Sequence, residues 1–193
     1  MTEPIVAMAL GLGLGLSLAA PPGPVNALIA REATVGGVRA GVRAGLPAPI
    51  VDTAYMLLVL FGVARLVDLE SMTPWLATIG AALMAWLAVQ VARVRDGAGK
   101  SLTGPAAVWM VTLTNPFQYA WWLSAGAGDL VQLGAFGIAG FLLAIFGWVF
   151  AFSGLVSLGA LRWAWFPSAI TVLSADLLLL YAIRLLWRGG LLG

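Results

Sequence analysis

The sequence predicts an all-α integral membrane protein, and its composition carries that prediction. Of the 193 residues, 62% are apolar and 9% are charged, whereas a soluble domain carries roughly 25% charged residues. The mean hydropathy is +1.00. Lipid offers no hydrogen-bond partner to backbone groups, and the apolar segments lack the alternation of a membrane β-barrel. We therefore expect helices throughout.

Six apolar segments are long enough to cross a bilayer, which requires about 20 residues. They cover about residues 4–30, 46–64, 75–92, 106–125, 133–158 and 168–187. Since they account for nearly the whole chain, we expect one transmembrane domain over residues 1–193 and a multi-pass location in the cell (plasma) membrane. A topology of five spans with one re-entrant segment is the alternative.

Two of these segments are interrupted by proline at matching places in the two halves of the chain. The first contains three prolines within residues 21–24, and the fourth contains Asn115 followed by Pro116. One broken helix and two whole helices then form a pattern that occurs twice, about over 1–95 and 104–193. An odd number of helices per repeat inverts the second repeat in the membrane. Inverted repeats with broken helices 1 and 4 are typical of secondary transporters.

The interruptions are expected to be polar sites, because proline has no N–H and frees backbone carbonyls. An unpaired group in lipid costs on the order of several kcal/mol, so each break must face protein, water or a ligand. The amide of Asn26 can cap the restarted helix or bind a ligand. Asn115, Gln118 and Tyr119 offer donors and acceptors suited to an amino or carboxylate group. The alternative is a plain proline kink that neighbouring helices satisfy.

Two acidic residues lie inside predicted spans, Asp52 in the second and Asp176 in the sixth. A carboxylate at that depth costs about 2.5–3.5 kcal/mol on insertion scales, so such residues face the protein interior and are functional by default. We expect both to couple transport to protons. Asp52 can also pair with a substrate ammonium, and Asp176 can balance a cationic substrate. The alternatives are structural, with Asp52 bonded to Tyr55 or to backbone near Pro49, and Asp176 to Ser174 or a carbonyl.

Several functions are excluded or disfavoured by residue types. The chain has no cysteine and no histidine, which removes disulfides, thiol chemistry and the commonest general base. We therefore expect neither an enzyme nor a cofactor or metal site. A net charge of +2 is too small to indicate nucleic acid. Trp121 and Trp122 are expected to contact lipid or pack, and Arg31, Arg39 and Arg43 to fix orientation.

Short motifs lie at the predicted breaks. Residues 22–26 read Pro-Gly-Pro-Val-Asn, and residues 113–116 read Leu-Thr-Asn-Pro. Together with Asp52 near the start of the second span, these motifs resemble the LysE/RhtB family of amino-acid exporters, whose elements are Pro-Gly-Pro-x-Asn and Leu-x-Asn-Pro. The resemblance extends over the whole chain in length, helix number and order. It implies export of small polar metabolites, usually amino acids, driven by the proton or ion gradient.

We therefore expect a secondary transporter that exports amino acids or similar small polar solutes. The residues expected to bind the solute are Pro22, Gly23, Pro24, Asn26, Asn115, Pro116, Gln118 and Tyr119. The expected partners are this solute, the lipid bilayer and, as an option that the sequence leaves open, further copies of the chain. The alternative is a cation or metal-ion transporter of a related inverted-repeat family, although only Asp52 and Asp176 would supply acidic ligands.

Overall fold

The computed structural model describes three continuous stretches of the chain, residues 3–61, 104–115 and 125–166, and several shorter ones. The shorter ones are residues 78, 82, 85, 86, 89, 118, 121, 122, 168–170, 172, 173, 176, 179, 180 and 183. All regular secondary structure in the described residues is helical, as the sequence predicts. The third and sixth predicted spans lie largely outside the described residues.

Five helices are continuous within the described residues. They are α1 (Pro4–Ala19), α2 (Pro24–Gly45), α3 (Pro47–Leu60), α4 (Pro105–Thr114) and α5 (Ala125–Arg162). Each of α1 to α4 begins with a proline in its first turn. Proline suits this position because its missing N–H would have no intrahelical partner there and its fixed φ matches a helix.

Both predicted interruptions are present. α1 ends at Ala19 and α2 begins at Pro24, so residues 20–23 separate the first two helices. α4 ends at Thr114, and Asn115 is extended with φ −82° and ψ 109°. The helix breaks therefore fall where the proline motifs predict them.

The segment between the first two predicted spans is helical rather than a connection. α2 continues through this arginine-rich segment to Gly45 and bends at Gly37, whose φ of 73° is a conformation that favours glycine. Arginine is a good helix former, and the buried Arg31 donates to Glu32 at 2.5 Å. Arg31 therefore lies inside the protein, in addition to any effect it has on orientation.

Among the described residues, two helical stretches, Pro24–Leu60 and Leu130–Arg162, are by length and composition able to cross a membrane. Pro4–Ala19 and Pro105–Thr114 are shorter apolar helices. At 1.5 Å per residue α4 reaches about 15 Å, half of a hydrocarbon core of roughly 30 Å. α4 alone is therefore too short to cross a bilayer, and it ends at the polar residue Asn115.

Glycines allow α1 and α5 to pack closely. A Cβ atom added at Gly11 would lie 2.0 Å from the carbonyl oxygen of Gly137, and one added at Gly140 would lie 2.1 Å from that of Met8. Absence of side chains lets the two backbones meet, as in membrane helix pairs with small residues. This contact places the end of α1, and so the first break, against α5.

A buried apolar cluster lies beside the first break. Phe141 and Ile145 of α5 pack with Leu18, Met56, Trp122 and Leu130. Phe141 is fully buried and meets the Trp122 ring edge-on, with centroids 5.5 Å apart. This cluster fixes the indole of Trp122 next to α3.

Candidate functional site

A single asparagine side chain forms hydrogen bonds across the first break. The side-chain amide nitrogen of Asn26 donates to the carbonyl oxygens of Ala19 at 2.8 Å and Pro21 at 2.9 Å. These are carbonyls at the end of α1 and in the break, where Pro21 and Pro22 supply no N–H. Asn26 thus bonds back to the end of α1, and Gly23 stands at the N-cap position of α2.

The same asparagine links the break to α5. The indole nitrogen of Trp148 donates to Oδ1 of Asn26 at 3.1 Å, and its ring stacks on Phe152 with centroids 5.3 Å apart. The amide of Asn26 therefore has partners for its donor group and for its acceptor. In this conformation Asn26 holds the shape of the break.

Asp52 is a buried carboxylate on α3, with 3% of its surface exposed. The side-chain nitrogen Nε2 of Gln118 lies 3.1 Å from Oδ1 and 3.2 Å from Oδ2. The indole nitrogen of Trp122 donates to Oδ1 at 3.3 Å. Hydrogen bonds to a charged acceptor are stronger than neutral ones, so these two donors compensate part of the cost of burial. The hydroxyl of Thr53 donates to the carbonyl oxygen of Pro49 at 2.7 Å, so this carbonyl near Asp52 has its own partner.

The second break joins this network through amides. Asn115, 5% exposed, donates from Nδ2 to Oε1 of Gln118 at 3.1 Å. Gln118 in turn donates to Asp52, which lies 66 residues away in the sequence. The residue that ends α4 is thereby connected to a carboxylate on α3, and the two halves of the chain meet in one chain of hydrogen bonds.

A cavity of about 50 Å³ lies between the two breaks. Its polar lining consists of Asn26, Asp52, Asn115 and Gln118, and Asp52 is the one ionisable side chain among the described residues that line it. Its remaining walls are prolines of the first break, Pro49 and apolar or aromatic groups that include Trp148. A water molecule needs roughly 10–15 Å³ by this measure, so the cavity has room for a few waters.

The structure brings together most of the predicted site residues. Those that line the cavity are Pro22, Gly23, Pro24, Asn26, Asp52, Asn115 and Gln118. Pro116 and Tyr119 lie outside the described residues. Asp176 has an exposed side chain and is not among the described residues that line the cavity. In the part of the chain that the structure describes, no three Asp, Glu, His or Cys side chains form a group that could hold a metal ion.

Two tryptophans of the site were not predicted. Trp122, expected to contact lipid or pack, donates to Asp52, and Trp148 orients Asn26. A signal for Trp122 exists, since it follows Gln118 by four residues and so shares its helix face. No comparable signal marks Trp148, because its partner lies 122 residues earlier in the chain.

A buried acid between two helix breaks, in a chain with long apolar helices, is an arrangement typical of membrane transport proteins. The sequence profile of the LysE type translocator family matches residues 16–189. The chain belongs to this family, whose members are translocators in the membrane rather than enzymes. No curated protein and no solved structure gives a significant match.

Proposed function

We propose that the chain is a secondary exporter of amino acids or similar small polar solutes across the cytoplasmic membrane, coupled to the proton or ion gradient. The observation that carries the proposal is the position of Asp52. A buried carboxylate lines a cavity together with amides from both helix breaks. In a membrane translocator, an intramembrane acid of this kind is expected to bind a charged group or a proton.

The polar lining suits the two ends of an amino acid. The Asp52 carboxylate can accept hydrogen bonds from a solute ammonium. The first turn of α2 also lines the cavity through Pro24, Val25 and Asn26, and its N-cap residue is Gly23, which has no side chain. The partial positive charge at a helix N-terminus, about +0.5, favours a solute carboxylate there. Asn115 and Gln118 would supply the remaining polar contacts, with Pro116 and Tyr119 proposed beside them.

Coupling would depend on the protonation of Asp52. Burial disfavours the charged form of the Asp52 carboxyl, whereas the hydrogen bonds from Gln118 and Trp122 favour it. These two effects oppose each other. A proton and a solute ammonium would compete for the same oxygens. Asp176 remains a second proposed coupling residue in the sixth span.

The proposed architecture is a multi-pass protein of the plasma membrane with six spans, built as two inverted repeats over about 1–95 and 104–193. It is supported by the interruptions at residues 20–23 and Asn115, which stand at matching places of the two halves. The cavity of about 50 Å³ is smaller than an amino acid requires, so export would include a wider state. Association with further copies of the chain is compatible with this arrangement.

Amino-acid excretion tests the proposal. The chain would be expressed in a bacterial host without its own exporters, the cells loaded with dipeptides, and every amino acid in the medium quantified. We expect selective excretion that Asp52→Asn abolishes at equal membrane expression. Glu3→Gln, which neutralises an exposed carboxyl at the N-terminus, is the matched control and should excrete normally. Absence of excretion by the unaltered chain would overturn the proposal and direct the screen to cations and other metabolites.

A further inference from the structure

The Gln118 amide stands where a solute ammonium would bind Asp52. Nε2 lies at nearly equal distances, 3.1 and 3.2 Å, from the two carboxylate oxygens. A donor bridging both oxygens is the arrangement that an incoming ammonium nitrogen would adopt, because each oxygen offers lone pairs on that side. An ammonium and Gln118 therefore cannot both hold this position.

The Gln118 side chain is held at both of its polar atoms. While Nε2 donates to Asp52, Oε1 accepts from Asn115 at 3.1 Å. Gln118 is 6% exposed, so water does not readily replace either bond. Displacing Gln118 from Asp52 would thus break the hydrogen-bonded link between α3 and Asn115 at the end of α4.

Displacement by an ammonium is favoured by charge. An ammonium adds to its hydrogen bonds the Coulomb attraction of two opposite charges, which the neutral amide of Gln118 lacks. Among the described residues that line the cavity, Asp52 has no cationic side chain beside it that could take the place of the ammonium. The neutral amide therefore holds the carboxylate firmly enough to keep the cavity small and weakly enough for a cationic group to exchange with it.

We propose that Gln118 is a latch: it closes the cavity by bridging Asp52 and Asn115, and a substrate ammonium opens the cavity by taking its place on Asp52. This inference rests on the proposed function for the identity of the substrate. Besides its proposed contact with the solute, Gln118 in this view sets the width of the cavity through the link between α3 and α4.

Cysteine labelling measures the latch without any transport. The chain has no cysteine, so Ala48→Cys places one thiol in the lining of the cavity. The rate of labelling by a small methanethiosulfonate reagent would be measured on the purified full chain, with methylammonium chloride as the ammonium probe and potassium chloride as its salt control. We expect methylammonium to accelerate labelling and potassium chloride to leave the rate unchanged.

A second variant removes the latch itself. Gln118→Leu in the Ala48→Cys background should label about tenfold faster than its parent, the effect of losing hydrogen bonds to a charged group. Methylammonium should add nothing to that rate. Gln132→Leu, the same change at an exposed position of α5, is the matched control and should label like the parent.

The inference is overturned if Gln118→Leu labels at the parental rate, or if methylammonium leaves the parent unaffected. The methylammonium measurement on the Ala48→Cys parent keeps Gln118 intact, so it tests the inference even where Gln118→Leu fails to fold. Failure of the proposed function would appear separately, as absence of amino-acid excretion by a chain whose labelling still responds to methylammonium.

Discussion

Gln118 donates to both carboxylate oxygens of Asp52, although 66 residues separate the two in sequence. In sequence, α3 lies between the two breaks, and Gln118 follows the second break. The bond therefore joins these two parts of the chain. Asn115 extends the same chain of bonds to the end of α4. The site is therefore built across the two halves of the protein, and changes in either half should affect it.

Asn26→Ala should abolish transport while the protein still inserts in the membrane. The carbonyls of Ala19 and Pro21 would lose their donor, and an unsatisfied buried group costs about 1–3 kcal/mol. The break should lose its defined shape, with a lower melting temperature in detergent. Trp148→Phe removes only the donor to Oδ1 of Asn26, so it should have the smaller effect on both excretion and stability. Normal transport by Asn26→Ala would contradict the role of Asn26 in the break.

Asn115→Ala should likewise abolish transport, because Gln118 loses the donor that fixes its amide. Thr114→Ala, one residue earlier, is a suitable control, since among the described residues the Thr114 hydroxyl donates to Met110 and Val111 of its own helix. Excretion would be compared at matched membrane expression. Equal activity of the two variants would argue against a role of Asn115 in the site.

Excretion should depend on pH through Asp52. If protons entering the cell drive export, a lower external pH should increase excretion by the unaltered chain. Asp52→Asn cannot exchange a proton, so any residual excretion should be flat over the same pH range. Glu3→Gln should keep the dependence, and Asp176→Asn reports whether a second acid contributes. A pH profile that survives in Asp52→Asn would move the coupling to another group.

Trp122→Phe should weaken export by about tenfold, because it keeps a ring against Phe141 but removes a donor to the buried Asp52 carboxylate. Trp109→Phe makes the same change on the exposed side of α4, where 39% of the tryptophan is exposed, and should leave export near the unaltered level. Initial excretion rates of the two variants provide the comparison.

Gly11→Ala should lower the melting temperature, because its methyl group would approach the carbonyl oxygen of Gly137 to 2.0 Å. The backbone of α5 must move, which overpacking data place at about 1–3 kcal/mol. Gly13→Ala is the matched control in the same helix, since no atom lies within 4 Å of the added carbon. Alanine there should stabilise the helix by roughly 0.5–1 kcal/mol. Similar thermal stability for the two variants would refute the close contact of α1 with α5.

The helix breaks and the polar lining of the cavity were predictable because their causes are local. Proline removes a donor wherever it stands, and a carboxylate in an apolar segment needs protein partners in any fold. The same reasoning placed Asn26, Asp52, Asn115 and Gln118 in one site. The role predicted for Asn26 was to cap α2 or to bind a ligand. In the structure its side chain instead donates to carbonyls at the end of α1 and in the break.

The long-range partners could not be predicted from the sequence. Trp122 and Trp148 act as hydrogen-bond donors because packing against Phe141 and Phe152 orients their indoles, and nothing local encodes that orientation. The course of α2 was also missed. An arginine-rich segment indicates a connection in a membrane protein, yet Arg31 finds Glu32 beside it and the helix continues to Gly45.

Prolines at the starts of α1 to α4 have a consequence for where these helices can begin. A helix ordinarily exposes four N–H groups at its first turn, and lipid provides no acceptor for them. A proline at the first position removes one of these donors from the outset. Helices that start this way can begin within the apolar slab at lower desolvation cost, because three N–H groups instead of four then need a partner from the protein or from water.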